Sequence, residues 1–303
     1  ILANYIVKQE KYNHLNAEEV QERILKNIIK IGRSTSYGKE HNFDRINNYN
    51  EFKESVPLVD YEGIKGYIEQ IIEGRDNVLW RGKPIYFAKT SGTTSGTKYI
   101  PITRESIHNH IDSARNMLLF YIYNSGDTSF LGGKMIFLQG SPELYDVGGI
   151  KTGRLSGIVA HHVPGYLQKN RLPTYKTNCI EDWEAKIEAI VNETIRENMT
   201  LISGIPPWVQ MYYDRIIEIT GKRIGEVFPN LKLFVYGGVN YEPYRNRIED
   251  SIGMSVQALE TYPASEGFIA YQSDLGNNGL LITLNSGIFY EFVPVEDIGK
   301  TNP

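Results

Sequence analysis

The sequence predicts an α/β protein in which largely parallel sheets are layered with helices. Up to residue 262, short apolar runs with the length of buried strands alternate with longer segments whose apolar residues recur every three or four positions. This alternation is typical of strand–helix–strand units, which place parallel strands in one sheet and helices on its two faces. The last apolar runs have no helical segments between them. We therefore expect a short mixed or antiparallel β region near the C-terminal end.

The predicted helices have apolar stripes and, in several cases, recognisable ends. Asn16 can cap the first helix, which we expect to end at Gly32, and Pro206 or Pro207 suits the first turn of another. The predicted helices cover 16–32, 61–74, 104–123, 181–198, 206–216 and 242–252.

The predicted strands are short apolar runs. They cover 84–88, 135–138, 157–160, 199–203, 231–236 and 255–262, followed by β segments at 268–271, 280–284 and 288–293. His161 and His162 would then continue an extended segment, where adjacent side chains point to opposite faces. That arrangement disfavours a shared metal ion and leaves a histidine that faces a substrate pocket as the functional alternative.

Composition narrows the class of protein. The formal charge of −4 argues against a general nucleic-acid or anionic-membrane binder. The single cysteine, Cys179, cannot form an intrachain disulfide, so we expect a reducing, cytoplasmic setting. No run of about eighteen apolar residues is present, so we expect no membrane span. A monomer is the default expectation.

A stretch of glycine and small hydroxyl residues is the most informative local feature. Residues 90–97 are all of these types, and Lys98 follows them directly. Gly92 and Gly96 allow backbone amides to approach a polyanion, and Lys98 adds a compact positive charge. The stretch lies between a predicted strand and a predicted helix. It therefore predicts a phosphate-binding loop, with a flexible linker as the alternative.

The spacing of this loop excludes two common nucleotide-binding motifs. Only three residues separate Gly92 from Gly96, and Thr97 precedes Lys98, so the Walker pattern does not fit. The dinucleotide pattern G-x-G-x-x-G is also absent from this stretch.

Two later segments are expected at the same end of the sheet, because ligands of open α/β sheets bind beyond the carboxyl ends of strands. They are Gly237-Gly238 and the turn 262–267, which contains Glu266. A single carboxylate can hold Mg²⁺ that also binds ATP phosphates and water. Taken separately, the double glycine suits a plain turn and Glu266 a solvated loop. Together with the loop 90–98, they predict a site for one triphosphate and its metal.

These segments carry a family resemblance. The stretch 90–98 resembles the first ATP motif of the acyl-adenylate-forming superfamily, and 262–267 resembles its second motif in the form used by auxin-responsive acyl acid amido synthetases. The resemblance extends over essentially all 303 residues. Further landmarks of that family are NVLW at 77–80, IPPW at 205–208, FPNL at 228–231 and GIFYEFVP at 287–294.

The resemblance implies the N-terminal domain fold of adenylate-forming enzymes and a two-step reaction. A carboxylic acid attacks the α-phosphate of ATP to give an acyl-adenylate, and an amine, usually an amino acid, then displaces AMP to form an amide. Lys98 and Glu266 would be the catalytic residues, and Glu266 would hold Mg²⁺. The β- and γ-phosphates would be held by Ser91, Gly92, Thr93, Thr94, Gly96 and Lys98. Gly237 and Gly238 would flank the adenine, and Tyr262 and Ser265 would contact the nucleoside or α-phosphate.

The chain also departs from the family pattern. The family's third nucleotide motif, Tyr-Arg-x-Gly-Asp, normally lies downstream of the FYEF segment, and Pro303 is reached before it. We expect the C-terminal lid of that family to be absent from residues 1–303 as well. We therefore expect residues 1–303 to form an incomplete, large N-terminal adenylation domain with little or no ligase activity by itself.

The sequence does not identify the acid or the amine. We expect 104–123 and 151–166 to line the acid pocket, with Arg115 and His162 as candidate substrate contacts; a solvated helix arginine is the alternative for Arg115. Three functions remain open at this point: an amido synthetase, an acyl-CoA synthetase-like enzyme, and a non-catalytic nucleotide- or acyl-binding homologue.

Overall fold

The structure, a computed structural model, describes residues 1–91, 96–163, 165–277 and 279–297. Its strands form a four-stranded and a seven-stranded sheet. The strands are β1 (Tyr86–Ser91), β2 (Thr97–Ile102), β3 (Lys134–Leu138), β4 (Tyr145–Val147), β5 (Ile150–Gly153), β6 (Arg171–Leu172), β7 (Met199–Gly204), β8 (Leu233–Gly237), β9 (Gln257–Pro263), β10 (Phe268–Gln272) and β11 (Leu280–Ile282).

Helices surround the sheets and in several cases match the predicted segments. The helices are α1 (Leu2–Leu15), α2 (Ala17–Gly32), α3 (Ser36–Glu40), α4 (Tyr49–Ser55), α5 (Tyr61–Ile72), α6 (Ser106–Ser125), α7 (Leu155–Ala160), α8 (Gly165–Gln168), α9 (Tyr175–Asn178), α10 (Trp183–Thr194), α11 (Pro206–Thr220), α12 (Ile224–Val227) and α13 (Arg245–Ile252). Short 3₁₀ turns lie at Ser129–Gly132 and Val295–Asp297. In the described residues no helix combines the length and apolarity that crossing a bilayer requires.

The seven-stranded sheet has the order β11-β10-β9-β8-β7-β3-β6. Strands β9, β8, β7, β3 and β6 run parallel to one another, whereas β10 pairs antiparallel with both β9 and β11. This confirms the predicted parallel sheet with a short mixed region near its C-terminal end. Because β7, β8 and β9 are parallel neighbours, their carboxyl ends lie side by side at one edge.

Helices cover both faces of this sheet, and alternate side chains of β8 are buried against each face. Phe234 and Tyr236 pack against α10, α11 and α13, and Leu233 and Val235 pack against α1 and α6 on the other face. A fully buried side chain of this size contributes about 1.5–3 kcal/mol, so the two-sided burial makes the strand ends a firm support for a site.

The four-stranded sheet has the order β2-β1-β5-β4, and β1 and β2 form an antiparallel hairpin. Phe87 and Tyr99 pack toward α5, while Ala88 and Ile100 pack toward α7 and the start of α6. The predicted strand–loop–helix arrangement is therefore wrong. Residues 97–102 pair with β1 instead of continuing the loop, since their alternate side chains fill two separate cores.

Two predicted strands are also wrong. Residues 157–160 belong to α7, where Gly157 lies so close to Ser141 that a Cβ would come within 2.6 Å of its carbonyl oxygen. His161 and His162 therefore follow a helix and not an extended segment. Residues 288–293 form no strand; instead their backbone is held by the side chain of Gln21 from α2.

The N-terminal helices differ from expectation at Asn16 and in three unpredicted helices, α1, α3 and α4. Asn16 directly precedes α2, but its side chain donates to the Tyr12 carbonyl at 2.8 Å and does not cap the helix. The predicted end at Gly32 is confirmed. Helix α1 was not predicted at all, because its apolar residues are weakly periodic.

Candidate functional site

The double glycine lies where β8 ends beside β9. Gly237 is paired with Thr261, and a Cβ on Gly237 would lie 2.4 Å from the Thr261 carbonyl oxygen. The Thr261 hydroxyl donates to the Tyr236 carbonyl at 2.9 Å and so reinforces this contact. Gly238 has a φ of +82°, a left-handed conformation that glycine adopts readily. The two glycines thus leave bare backbone at the strand ends, against which a flat ring can lie.

The acidic turn follows β9 directly and is closed by its own backbone. Ala264 and Gly267 exchange two N–H···O hydrogen bonds, of 2.9 and 3.2 Å. Ser265 and Glu266 therefore stand at the tip, and Glu266 is exposed. Tyr262, at the end of β9, is 56% exposed. The fold thus brings together two of the three predicted pieces, the double glycine and the acidic turn, at neighbouring strand ends.

A residue that sequence reasoning missed positions this turn from a distant helix. Asn109, in α6, hydrogen-bonds to both the backbone N–H and the carbonyl of Phe268, which begins β10. A Cβ on Gly267 would meet Ile288 at 2.5 Å, so the turn is also packed from the C-terminal side. No local pattern could have indicated Asn109, because the two partners are separated by 159 positions.

Glu266 lies at the margin of a cavity of about 700 Å³. One wall is apolar and comes from Ile24 and Ile28 of α2 together with Trp80. Pro101, near the end of β2, also lines the cavity. A carboxylate beside an apolar cavity is an arrangement typical of small-molecule sites, where a few polar groups orient a ligand with a nonpolar body.

Part of the predicted phosphate-binding loop lies outside the described residues. Gly92, Thr93 and Thr94 lie outside the described residues, and Ser91 is described only as the last residue of β1. Gly96 has a φ of +81° and open space where a Cβ would be.

Lys98 is held at the edge of the hairpin beside α5. Its ammonium lies 5.2 Å from the centre of the Tyr61 ring, and the Tyr61 hydroxyl accepts the N–H of Tyr99 at 3.0 Å. In the described part of the chain no hydrogen bond or ion pair joins Lys98 to Glu266. The convergence of the loop and the acidic turn on one triphosphate therefore stays a prediction.

The two candidate substrate contacts occupy different surroundings. Arg115 forms an ion pair with Asp112 at 2.9 Å and also donates to Asn116, so its guanidinium is engaged on the surface of α6. His162 lies 3.2 Å from the Tyr86 hydroxyl through Nε2. Burial, together with the charges of neighbouring histidines, lowers the pKa of His162, so the imidazole is held toward its neutral form. Their substrate roles stay predictions.

The donor set at the acidic turn is compatible with magnesium. Among the described residues no group of three or more His, Cys, Asp or Glu side chains could enclose a metal ion. Mg²⁺ does not need such a cage, because it commonly keeps several waters and takes one or two protein carboxylates plus phosphate oxygens. Glu266 is exposed and makes no ion pair within the described residues, so its carboxylate is available for that role.

Comparison with known proteins decides the family. The profile of the GH3 family N-terminal domain matches residues 8–172 and 155–256, most of the chain. The chain belongs to the GH3 family. The matched ranges include the loop 90–98, Arg115, His162 and the double glycine, and they end before the acidic turn.

Members of the GH3 family resemble this chain in sequence and in fold. Indole-3-acetic acid-amido synthetase GH3.15 of Arabidopsis thaliana is 32% identical over 124 residues, which are 40% of this chain and 20% of that protein. The structure of a GH3.15 acyl acid amido synthetase superimposes with a TM-score of 0.70 at 14% identity, over 89% of this chain and 57% of the other. The chain thus spans less than two thirds of the length of these relatives.

The fold is shared outside the GH3 family as well. A 2-hydroxyisobutyryl-CoA ligase in complex with 2-HIB-AMP and CoA superimposes with a TM-score of 0.56 at 12% identity, over 88% of this chain and 53% of the other. This similarity confirms the predicted fold class, the N-terminal domain of adenylate-forming enzymes.

Proposed function

We propose that this protein is an ATP-dependent ligase that activates a carboxylic acid as its acyl-adenylate and transfers the acyl group to an amino acid, forming an amide. The observation that carries the proposal is the pairing of Gly237 with Thr261, which brings the double glycine beside the acidic turn in a chain of the GH3 family. The relatives in that family that resemble this chain include proteins named as amido synthetases. We propose adenylation and amide formation as activities of the full-length protein.

Each segment of the site would contact a different part of ATP. The backbone of Gly237 and Gly238 would support the adenine ring, and Tyr262 and Ser265 would contact the ribose or α-phosphate. The loop 91–96 and Lys98 would neutralise the β- and γ-phosphates. Such charge neutralisation and alignment are the main demands of attack at a phosphate.

Magnesium, when bound, supplies positive charge to the phosphate oxygens. Glu266 would be the protein ligand that orients it. The backbone bonds between Ala264 and Gly267 fix the turn that carries this carboxylate. The cavity beside Glu266 is lined by three residues of the expected segment 104–123 and by no described residue of 151–166. It would receive the nonpolar body of the acid and exclude water from the reacting carboxylate.

Exchange of labelled pyrophosphate into ATP tests the first step. The full-length protein is screened with a panel of carboxylic acids, and we expect acid-dependent exchange that Lys98→Ala and Glu266→Ala abolish. The second step is tested by AMP release with amino acids, using CoA as the competing acceptor. Release that depends on CoA but not on amino acids would contradict amide formation. No exchange with any acid of a broad panel would favour a binding protein instead.

A further inference from the structure

A second cavity, of about 550 Å³, lies along the edge of the seven-stranded sheet formed by β6. It is lined by Arg171 of β6, by Lys134 of β3 and by the end of α7. Strands β8, β7 and β3 stand between β6 and β9. Four strand spacings of about 4.8 Å place this cavity roughly 19 Å from the acidic turn, well outside the proposed adenylation site.

The charge of this cavity is one-sided. Lys134, Lys169, Arg171 and His161 line it, and no aspartate or glutamate is among the described residues that do. The Lys134 ammonium donates to the Lys169 carbonyl at 2.8 Å, which keeps a positive charge at the cavity margin. His161 Nε2 lies 2.8 Å from the Pro142 carbonyl, and since a carbonyl only accepts, this nitrogen carries a proton.

Arg171 is a half-buried cation of this cavity. One N–H of its guanidinium donates to the Ala160 carbonyl at 3.0 Å, and the group stacks 5.5 Å from the centre of the Phe137 ring. It forms no ion pair within the described part of the chain. Burial lowers the pKa of Arg171, with no charged neighbour offsetting the effect. Pairing with an anion stabilises a partly desolvated guanidinium of this kind.

Two carboxylates lie near the cavity but do not supply that anion. Glu193 accepts hydrogen bonds from the N–H and the hydroxyl of Thr174, at 2.8 and 2.7 Å, and another from Thr177, so it is committed to the start of α9. Glu143 forms no ion pair with Arg171 in the described residues, and burial is the only cause of the lowered pKa of Arg171.

The rest of the lining indicates the class of ligand. Leu172, Pro173 and the Tyr175 ring provide an apolar surface next to Arg171. We propose that this cavity binds a small organic carboxylate with an apolar body, whose carboxylate pairs with the planar fork of Arg171.

Titration of the full-length protein with benzoate, in the absence of ATP, tests this site. We expect Arg171→Gln to weaken benzoate binding at least tenfold, and Arg171→Lys to weaken it less because the charge remains. Arg75→Gln is the matched control, since Arg75 is exposed and far along the chain, and it should leave the affinity unchanged. Benzamide, the neutral analogue, should bind at least tenfold more weakly than benzoate.

A crystal soaked with 4-iodobenzoate locates the ligand independently of affinity. We expect anomalous iodine density beside β6. Unchanged benzoate affinity in a folded Arg171→Gln protein, equal binding of benzamide, or iodine only near Glu266 would each overturn the proposal. Equal competition by inorganic phosphate would also overturn the carboxylate assignment. Because no nucleotide is present, these outcomes do not require catalysis, and binding in the cavity beside Glu266 is distinguished by the position of the iodine and by insensitivity to Arg171→Gln.

Discussion

The Asn109 side chain in α6 holds both backbone polar groups of Phe268 at the start of β10. The Phe268 N–H donates to Asn109 Oδ1 at 2.5 Å, and Asn109 Nδ2 donates to the Phe268 carbonyl at 3.2 Å. Asn109 is only 6% exposed. Since Phe268 lies two residues after Glu266, this pair of hydrogen bonds fixes the acidic turn relative to α6.

Replacing Asn109 with alanine should therefore be costly. We expect Asn109→Ala to lower the free energy of unfolding by about 2–3 kcal/mol, because it leaves a buried N–H unpaired and weakens the contacts of a buried carbonyl. Asn124 is a matched control in the same helix, with one bond of 2.6 Å from an exposed side chain to the Ser273 carbonyl. Asn124→Ala should cost about 0.5–1 kcal/mol. Urea denaturation measures both, and equal losses would contradict the positioning role of Asn109.

A buried histidine should make the stability depend on pH. His110 is 3% exposed, and burial lowers its pKa to about 4. The unfolded chain binds a proton near the ordinary value of about 6.5, so stability is fully present above that pH and falls as the pH drops toward 4. The loss amounts to at most about 3 kcal/mol. We expect His110→Leu to reduce this loss, whereas His108→Gln, on the exposed side of α6, should not.

Denaturation at a series of pH values between 7 and 4 makes this comparison. If the wild type and His110→Leu lose the same free energy of unfolding across that interval, other groups cause the acid sensitivity.

Much of the fold was predictable because strong periodic signals coincide with burial. The apolar runs of β7 and β8 lie in cores, as their patterns indicate, whereas α2 buries Leu25 and Ile29 in a core and turns Ile24 and Ile28 of its predicted stripe toward the cavity beside Glu266. The strand prediction for 157–160 was wrong because a short, wholly apolar segment fits a buried strand and a buried helix equally well. Only the close approach of Gly157 to Ser141 explains why the helix is accommodated there.

The candidate site was predictable only where its chemistry is local. Glycines and a carboxylate after strands mark Gly237-Gly238 and Glu266 as residues at the ends of β8 and β9. The side chains that hold these ends in place, Asn109 and Gln21, bond to backbone groups 159 and 269 positions away. Such contacts depend on how the helices pack and leave no mark in the sequence.

The close contact at the end of β8 predicts intolerance to any side chain there. A Cβ on Gly237 would lie 2.4 Å from the backbone oxygen of Thr261, which cannot move without breaking the β8–β9 pairing. We expect Gly237→Ala to lower the free energy of unfolding by about 1–3 kcal/mol and to weaken nucleotide binding. Gly66→Ala is the control, because Gly66 is exposed in α5 with open space around it. That change should stabilise the helix by about 0.5–1 kcal/mol. Similar stability losses in both variants would contradict the steric argument.

If Glu266 holds magnesium, substituting it should lower activity without lowering stability. Because this carboxylate is exposed and forms no ion pair in the described residues, Glu266→Gln should change the free energy of unfolding by less than about 0.5 kcal/mol. We expect the same variant to lose at least about 100-fold in acid-dependent pyrophosphate exchange. Glu69→Gln, an exposed carboxylate on α5, is the matched control and should keep full exchange. Full exchange in Glu266→Gln would remove this residue from the proposed site.

Gln21 connects α2 to the C-terminal segment that packs on the acidic turn. Its Nε2 donates to the carbonyls of Leu284 and Ile288, at 2.7 and 3.2 Å, and its Oε1 accepts the Tyr290 N–H at 2.8 Å. Ile288 in turn packs against Gly267. One side chain therefore replaces the strand pairing that the sequence led us to expect at 288–293.

We expect Gln21→Ala to release this segment locally. Hydrogen–deuterium exchange at Tyr290 should accelerate by about fivefold, because loss of a bond worth roughly 1 kcal/mol lowers the cost of local opening. Exchange in β8 should not change. Gln70→Ala is the control, since Gln70 only accepts a bond from the exposed Arg75 side chain at 3.2 Å. Unaltered exchange at Tyr290 would mean that packing of Ile288, and not Gln21, holds the segment against the acidic turn.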